Sequence, residues 1–364
     1  MHIRRLGVDW VASANAAWSA LLRHSDANPV FMSWAWVSSL LDTFRAGVEW
    51  RILGFYEGDR LVALLPFSLK RSVATIWGRQ IAFPGVDWTG ADYNDFLCER
   101  GFETVVAKEV AHCLEGDNSW VACEFRDVVP NTLIQRVVRS MGDEALLIED
   151  IPGSVCPRTS LSQGWHGLLR DRFERKRRYN IERQLRLANQ RHGLRLVFHE
   201  TPEAVSRAFP LLLYLHEQRK AAQGIKSAFS RPSRAKFHAL AAVRLAESGA
   251  AFIVTLESGA ETVSAAYCFR DASTVYYFQT GMSQAGATIG AGSTLLYMLL
   301  RWAADQGYQW FDFLKGDEDY KEPWATDRVE QRIIKVTRTN WRGQCHAALG
   351  GARRALAALY RQNT

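Results

Sequence analysis

The spacing of apolar positions changes repeatedly along the chain, and each change marks an element. Val11, Trp18, Leu21 and Leu22 share one helical face, which predicts an amphipathic helix over 11–24. Asn28-Pro29 interrupts it, and Ser33 can cap a second helix bearing Trp34, Trp36, Val37, Leu40 and Leu41. Apolar runs at 51–56 and 61–69 flank Glu57-Gly58-Asp59, a hairpin signal. The pattern then predicts a strand at 77–83, an irregular stretch at 84–95 (Gly85, Asp87, Gly90, Asp92), a helix at 103–114, a strand at 120–125, a helix at 131–141 and an extended piece at 145–148. Pro152, Gly153 and Pro157 make 151–164 read as an irregular inter-domain connection.

The second half begins with a strongly basic stretch, 170–195. Phe173, Arg177, Ile181 and Leu185 recur every four residues there, which predicts one helix with an apolar stripe. A strand at 194–198, a helix at 202–220 capped by Thr201 and a helix at 233–248 follow. Next come a hairpin at 252–256 and 262–269 and a third strand at 274–279. A Gly-rich loop (Gly286, Gly290, Gly292) opens onto an apolar helix of Leu295, Leu296, Met298, Leu299, Trp302 and Ala303, ended by Gly307. A short strand at 310–314, a polar cluster at 315–321, a strand at 333–341 and a helix at 350–360 complete the chain.

The two halves echo each other. The hairpin at 52–67 matches the one at 252–269, and Ser119-Trp120-Val121-Ala122 matches Gln309-Trp310-Phe311-Asp312. The order in both is helices, hairpin, further strand, helix, strand, which predicts two copies of one α/β unit. The first copy has no GxG loop and has Ala122 where the second has Asp312, so the second copy is the one expected to hold a ligand.

A glycine loop running into a helix N-terminus is suited to an anion. The first N–H groups of a helix have no internal acceptor and carry partial positive charge. Glycines allow a phosphate to approach that backbone. Gly290-Ala291-Gly292-Ser293-Thr294 can therefore cradle a pyrophosphate; the alternative is a flexible loop with a Ser/Thr cap. The stretch is neither a Walker loop nor a dinucleotide fingerprint.

Composition narrows the class. A length of 364 residues suits about two domains, and 48% hydrophobic content suits folded cores. A net charge of +7 is a mild bias compatible with anionic ligands such as CoA or tRNA. The six cysteines contain no CxxC pair, which argues against zinc and a disulfide framework and points to a reduced, cytoplasmic setting. Arg4 and Arg5 are followed by Asp9 rather than an apolar leader, and no apolar run is long enough to cross a bilayer.

Several strings resemble a known family. They are Asn28-Pro29-Val30-Phe31 with Trp36, Leu65-Pro66-Phe67, Leu215-His216-Glu217-Gln218-Arg219 with Gly224, and Tyr276-Tyr277-Phe278-Gln279-Thr280-Gly281. Gly292-Ser293-Thr294-Leu295-Leu296 and Phe311-Asp312-Phe313-Leu314-Lys315-Gly316-Asp317-Glu318-Asp319-Tyr320-Lys321 follow, the last being the most specific. With these the chain resembles the GNAT acyltransferases, and in particular looks like the CelD-like branch linked to cellulose and other exopolysaccharide biosynthesis. That branch is similar to the Fem-type aminoacyl transferases, which contain two GNAT units. The departure is Gly290-Ala291-Gly292 where the family often has Ser-Pro-Gly. The resemblance implies an α/β fold of tandem GNAT-like units, each a twisted mixed β-sheet flanked by helices. The expected boundaries are 1–155 for a degenerate unit, 165–345 for the unit with the CoA loop and 346–364 for a terminal helix.

The resemblance also implies acetyl-CoA or another acyl-CoA as cosubstrate, no metal, and direct transfer without an acyl-enzyme. Transfer to an amine needs a base, a donor to the thioester carbonyl and an acid for the thiolate. Asp312, in an apolar strand, is the first candidate acid group; the alternative is a structural ion pair. His216 is a candidate base, and Tyr320 a candidate general acid. His216 and Arg219 share a helix face and, with Glu217, can hold a substrate carboxylate or sugar hydroxyl; the alternative is a solvated helix end. Gln279, Asp317 and Lys321 complete the candidate substrate contacts. Three functional readings follow: an acyl-CoA-dependent N- or O-acyltransferase acting on a sugar, glycan precursor or amino compound; a Fem-like transferase using aminoacyl-tRNA, motivated by the basic helix; and a non-catalytic scaffold of a polysaccharide synthesis complex.

Overall fold

The computed structural model describes every residue except 45–47, 72–77, 86–87, 143–144, 317 and 350–364, and for Asn189 the backbone alone. Trp77, Asp87, Asp317 and the helix expected at 350–360 lie outside the described residues. The rest divides into two compact units, one of residues 1–154 with the segment from Glu330 onward, the other of residues 155–329.

The first unit runs β1 (His2–Leu6), α1 (Val8–Ser13), α2 (Asn15–Arg23), α3 (Trp34–Phe44), β2 (Glu49–Glu57), β3 (Arg60–Lys70), β4 (Arg79–Ala82), β5 (Leu97–Cys98), α4 (Glu103–Gly116), β6 (Trp120–Val128) and α5 (Leu133–Ser140), then enters β7 (Leu146–Ser160). The helix expected at 11–24 is two pieces, because the Ala14 N–H turns back to the Val11 carbonyl. Ser33 caps α3: its Oγ accepts the Trp36 N–H at 3.1 Å. β1, β2, β3 and β4 are antiparallel neighbours, whereas β4 and β6 are parallel. A parallel pair needs a crossover, and α4 supplies it. Val106, Val110 and Leu114, one helical turn apart, are buried beneath α4; full burial of each contributes about 1.5–3 kcal/mol.

The second unit contains α6 (Gly164–Arg172), α7 (Arg175–His192), β8 (Leu194–His199), α8 (Pro202–Ala222), α9 (Pro232–Glu247), β9 (Ala251–Ser258), β10 (Glu261–Arg270), β11 (Thr274–Met282), α10 (Gln284–Thr288), α11 (Ala291–Asp305) and β12 (Trp310–Asp312), then enters β13 (Asp327–Arg338). β8, β9, β10 and β11 are antiparallel in turn, and β11 and β12 are parallel across α11. Hairpin, further strand, crossover helix and parallel strand thus occur in the same order in both units. Each is a mixed α/β unit, as the internal echo implied.

Three further sequence expectations give way. The basic stretch is not one helix: it breaks after α6 at Phe173, which is extended (φ −133°, ψ 144°). Phe173 is buried and meets the Trp324 ring edge-on at 4.7 Å, so tertiary packing overrides the helical period. Residues 151–160 are not an irregular connection but most of β7, whose Arg158, Thr159 and Ser160 pair with Asp312, Phe311 and Trp310. Pro157 stands beyond the last of these pairs, where its missing N–H is not needed by the ladder, and its carbonyl accepts the Phe313 N–H at 3.0 Å. Finally, the strand expected at 333–341 starts earlier and ends at Arg338, and residues 341–349 are helical. Its 332–337 segment pairs antiparallel with β6, inside the first unit.

Candidate active site

The site grows from the start of α11. Ser283 caps the short α10, its Oγ accepting the Gly286 N–H at 3.0 Å. Gly290 then turns the chain from α10 into α11 in the left-handed region (φ 69°, ψ 30°), which glycine adopts without the Cβ penalty. The Gly290 carbonyl accepts the Thr294 N–H, closing the first turn of α11. The Ala291, Gly292 and Ser293 N–H groups come before this first internally bonded donor. Gln184 of α7 reaches this helix end, and its Nε2 donates to Ser293 Oγ and Thr294 Oγ1, both at 2.9 Å. Gln184 was not singled out in the sequence. Its signal was a polar residue interrupting the stripe of Ile181, Leu185 and Ala188.

A cavity of about 550 Å³ lies over this helix end. Gly290, Gly292 and Ser293 form part of its wall, with Leu296 and Tyr297 further along α11. β11 contributes Tyr277, Thr280, Gly281 and Met282, and the segment after β12 contributes Asp319, Tyr320 and Trp324. Arg177 of α7 and Arg219 of α8 bring positive charge to it. A Cβ on Gly292 would meet Met282 Sδ at 3.2 Å, so a side chain there would crowd Met282 at the helix end.

Arg219 is held against β11 by a second glycine. A Cβ on Gly281 would stand 2.4 Å from the His216 backbone nitrogen and 2.5 Å from the Leu215 carbonyl carbon. Only a bare backbone lets α8 pack so close. One turn on, the Arg219 guanidinium donates to Thr280 Oγ1. Burial pushes the Tyr320 phenol well above its usual range, with the nearby Glu318 charge adding to it and Arg219 opposing. Burial does the same to Tyr277. Both phenols stay protonated at neutral pH and can donate.

The remaining candidates lie off the cavity wall. His216 is fully buried; Nδ1 lies 2.9 Å from Ser227 Oγ and Nε2 3.0 Å from Gln279 Oε1. Burial lowers its pKa to about 4, against the Gln279 hydrogen bond, so the imidazole is neutral. The solvated helix end considered for His216 is thus replaced by a buried polar network with Gln279. Asp312 is buried too, and its Oδ1 accepts the Leu314 N–H at 2.7 Å where Leu314 turns to φ 56°. Lys321 is buried; its Nζ bonds Glu318 Oε2 at 2.7 Å and the Lys315 carbonyl at 3.0 Å, folding the polar loop onto itself. Burial alone would raise the Glu318 pKa, but the Lys321 bond and charge outweigh it and hold the carboxylate below its usual range. Glu217 is exposed on α8, and Ala291 and Thr294 are buried within the helix end. Gly290, Gly292, Ser293, Arg219 and Tyr320 are the expected residues that meet at the cavity.

Residues 175–322 match the family described as an acetyltransferase (GNAT) domain. The chain carries a GNAT-type acetyltransferase domain. The match ends just after Lys321 and contains the whole α11 entry, so the cavity lies within the acetyltransferase domain apart from Pro323 and Trp324. The chain as a whole is similar in fold to the crystal structure of FemX, with a TM-score of 0.62 at 12% identity over 91% of this chain and 97% of that one. A conserved protein of unknown function from Bacteroides thetaiotaomicron gives 0.56 at 11% identity, over 92% and 99%. L-PGS from Bacillus licheniformis gives 0.54 at 14% identity, over 89% and 92%. At such identities the likeness is one of fold. No curated protein matches the chain in sequence. Among the described residues, no helix is long and apolar enough to cross a membrane.

Proposed function

We propose that the cavity binds acyl-CoA and that the second unit transfers the acyl group directly to a nitrogen or oxygen of a sugar, glycan precursor or amino compound. The observation that carries this reading is the placement of Gly290, Gly292 and Ser293, at the open end of α11, on the wall of the cavity that also holds Tyr320. The free N–H groups and the Gln184 amide suit the CoA pyrophosphate. In the reaction, the acceptor nitrogen forms a bond to the thioester carbonyl carbon, the C–S bond breaks, the amine loses a proton and the thiolate gains one. Tyr320, protonated at neutral pH, supplies the proton to sulfur. Asp319, a carboxylate on the cavity wall, takes the amine proton. His216 and Gln279, bonded to each other, and Asp312, which shapes the exit of β12, act as positioning residues. The link to polysaccharide biosynthesis rests on the Asp312–Lys321 string.

Calorimetry with acetyl-CoA and longer acyl-CoAs tests the donor site. Wild type is expected to bind in the micromolar range, and Gly292→Glu to bind at least about tenfold more weakly, a loss of roughly 1.4 kcal/mol or more. Failure of every acyl-CoA to bind at low salt would overturn the reading. One observation favours an aminoacyl-tRNA donor as the second reading: Arg175, Lys176, Arg183, Arg186 and Arg191 are exposed on α7. Salt-dependent tRNA binding without CoA binding would select it; binding of neither would leave a scaffold role.

A further inference from the structure

We infer that Arg219 forms a subsite for an anionic group, a carboxylate or a phosphate, carried by the acceptor. This inference rests on the acyl-transfer reading of the cavity and names the class of molecule that receives the acyl group.

Arg219 is half-buried on the cavity wall, and its recorded hydrogen bond is to a neutral hydroxyl, that of Thr280. A guanidinium has five N–H donors and cannot lose its charge, so one hydroxyl leaves most of its capacity open. Among the described residues no carboxylate lies within 4.0 Å of it; the nearby Glu318 is engaged by Lys321 at 2.7 Å. The neighbouring side chain on α8 adds positive charge. Lys220, the next residue along α8, is held below its usual pKa by burial and then by the Arg219 charge. A half-buried cation of this kind is costly unless something pairs with it.

The donor phosphates do not account for it. They belong at the α11 N-terminus, where Gly292 faces Met282. Arg219 is anchored to Thr280, two residues earlier on β11, about 7 Å away along a strand. The wall beside Arg219 contains the Tyr277 and Tyr320 phenols, both kept protonated and so able to donate to an anion as well. Asp319 shares the same cavity and suits the acceptor's nitrogen. Opposite charges on one wall fit a small acceptor with both a nucleophilic nitrogen and an anionic group, such as an amino acid or an amino sugar phosphate. Planar bidentate recognition by arginine suits either anion.

The test uses matched product-like pairs on CoA-saturated protein, read by calorimetry. N-acetylglycine is compared with N-acetylglycinamide, and N-acetylglucosamine 6-phosphate with N-acetylglucosamine. The expected result is that the anionic member of at least one pair binds about tenfold or more tighter than its neutral partner. Which pair responds distinguishes carboxylate from phosphate. Arg219→Gln should abolish that preference, and Arg219→Lys should retain part of it, while affinity for CoA changes less than about twofold. Retained CoA affinity in both variants also shows that they fold. If neutral members bind as well as anionic ones, or nothing binds beside CoA, or the preference survives in Arg219→Gln, the inference is overturned while the donor site stands. If CoA itself does not bind wild type, the acyl-CoA reading fails. Arg219-dependent binding of an anionic probe to the free protein would then still support the subsite, and its absence would sink it.

Discussion

At the scale of single residues, the site depends on where a side chain is missing. Gly281 has no Cβ because backbone atoms of α8 occupy that space, the nearest at 2.4 Å. Backbone cannot swing aside as a flexible side chain can. Gly281→Ala is therefore expected to push α8 off β11 and to destabilise by about 1–3 kcal/mol, the usual cost of overpacking. It should also loosen Arg219 from Thr280. Gly116→Ala is the control, since a Cβ there meets nothing within 4 Å. Denaturant midpoints of the two variants check this; equal midpoints would show that α8 is not pinned as described. Residue identity in the sequence made Gly290 and Gly292 visible as a loop signal. Gly281 stood just past the strand expected at 274–279 and gave no comparable signal, because its constraint comes from a helix more than sixty residues earlier in the chain.

At the scale of elements, the proposed donor site depends on two helices being joined. α7 has little apolar surface, and its polar Gln184 bridges to the hydroxyls of Ser293 and Thr294 on α11. Those bonds fix the orientation of the first turn, part of which lines the cavity. Gln184→Ala removes both. The expected losses are about 1–3 kcal/mol of stability, from roughly 0.5–1.5 kcal/mol per bond, and several-fold in CoA affinity. Thermal unfolding and calorimetry on the same variant separate the two effects. An unchanged CoA affinity would mean that the helix end is ordered without α7. The single helix expected over 170–195 would have placed Gln184 differently. The break at Phe173, anchored on Trp324, sets α7 on its own axis.

At the scale of the whole molecule, buried titrating groups give stability a pH dependence with two opposing parts. Burial lowers His216 from 6.5 to about 4. Its contribution is complete above pH 6.5 and is lost as pH falls towards 4, because the unfolded chain binds a proton that the folded one refuses. The magnitude is about 3 kcal/mol at roughly 1.36 kcal/mol per pH unit. Asp95 acts in the other direction. Burial raises it from 3.8 to about 7, against the Leu133 and Ile134 N–H groups that it caps, so ionising it costs stability as pH rises through that range. The two windows overlap, so the total curve understates each. The difference between wild type and His216→Asn isolates the histidine: the variant should be less stable at neutral pH, and the gap should shrink near pH 4. A gap independent of pH would refute the buried neutral imidazole.

The sequence by itself determined what depends on neighbours along the chain. Hairpins at Glu57-Gly58-Asp59 and after Glu257, the Ser33 and Thr201 caps, the helix opening at Gly290 and the repeated α/β order all follow from local propensity and period. Their hydrogen bonds and apolar faces lie within a few residues of each other. Only the tertiary structure decided what depends on distant partners. Residues 158–160 belong to a strand because β12, about 150 residues later, offers them a ladder that Pro157 does not interrupt. β13 joins the first unit because β6, some 200 residues earlier, has an edge to pair. His216 lies in a polar network rather than in solvent because Gln279 and Ser227 converge on it. Among the described residues, Glu318 is committed to Lys321 rather than to Arg219, which lines the cavity. Pairing across such separations leaves no period in the sequence, since its free energy comes from surfaces that exist only once the chain has folded.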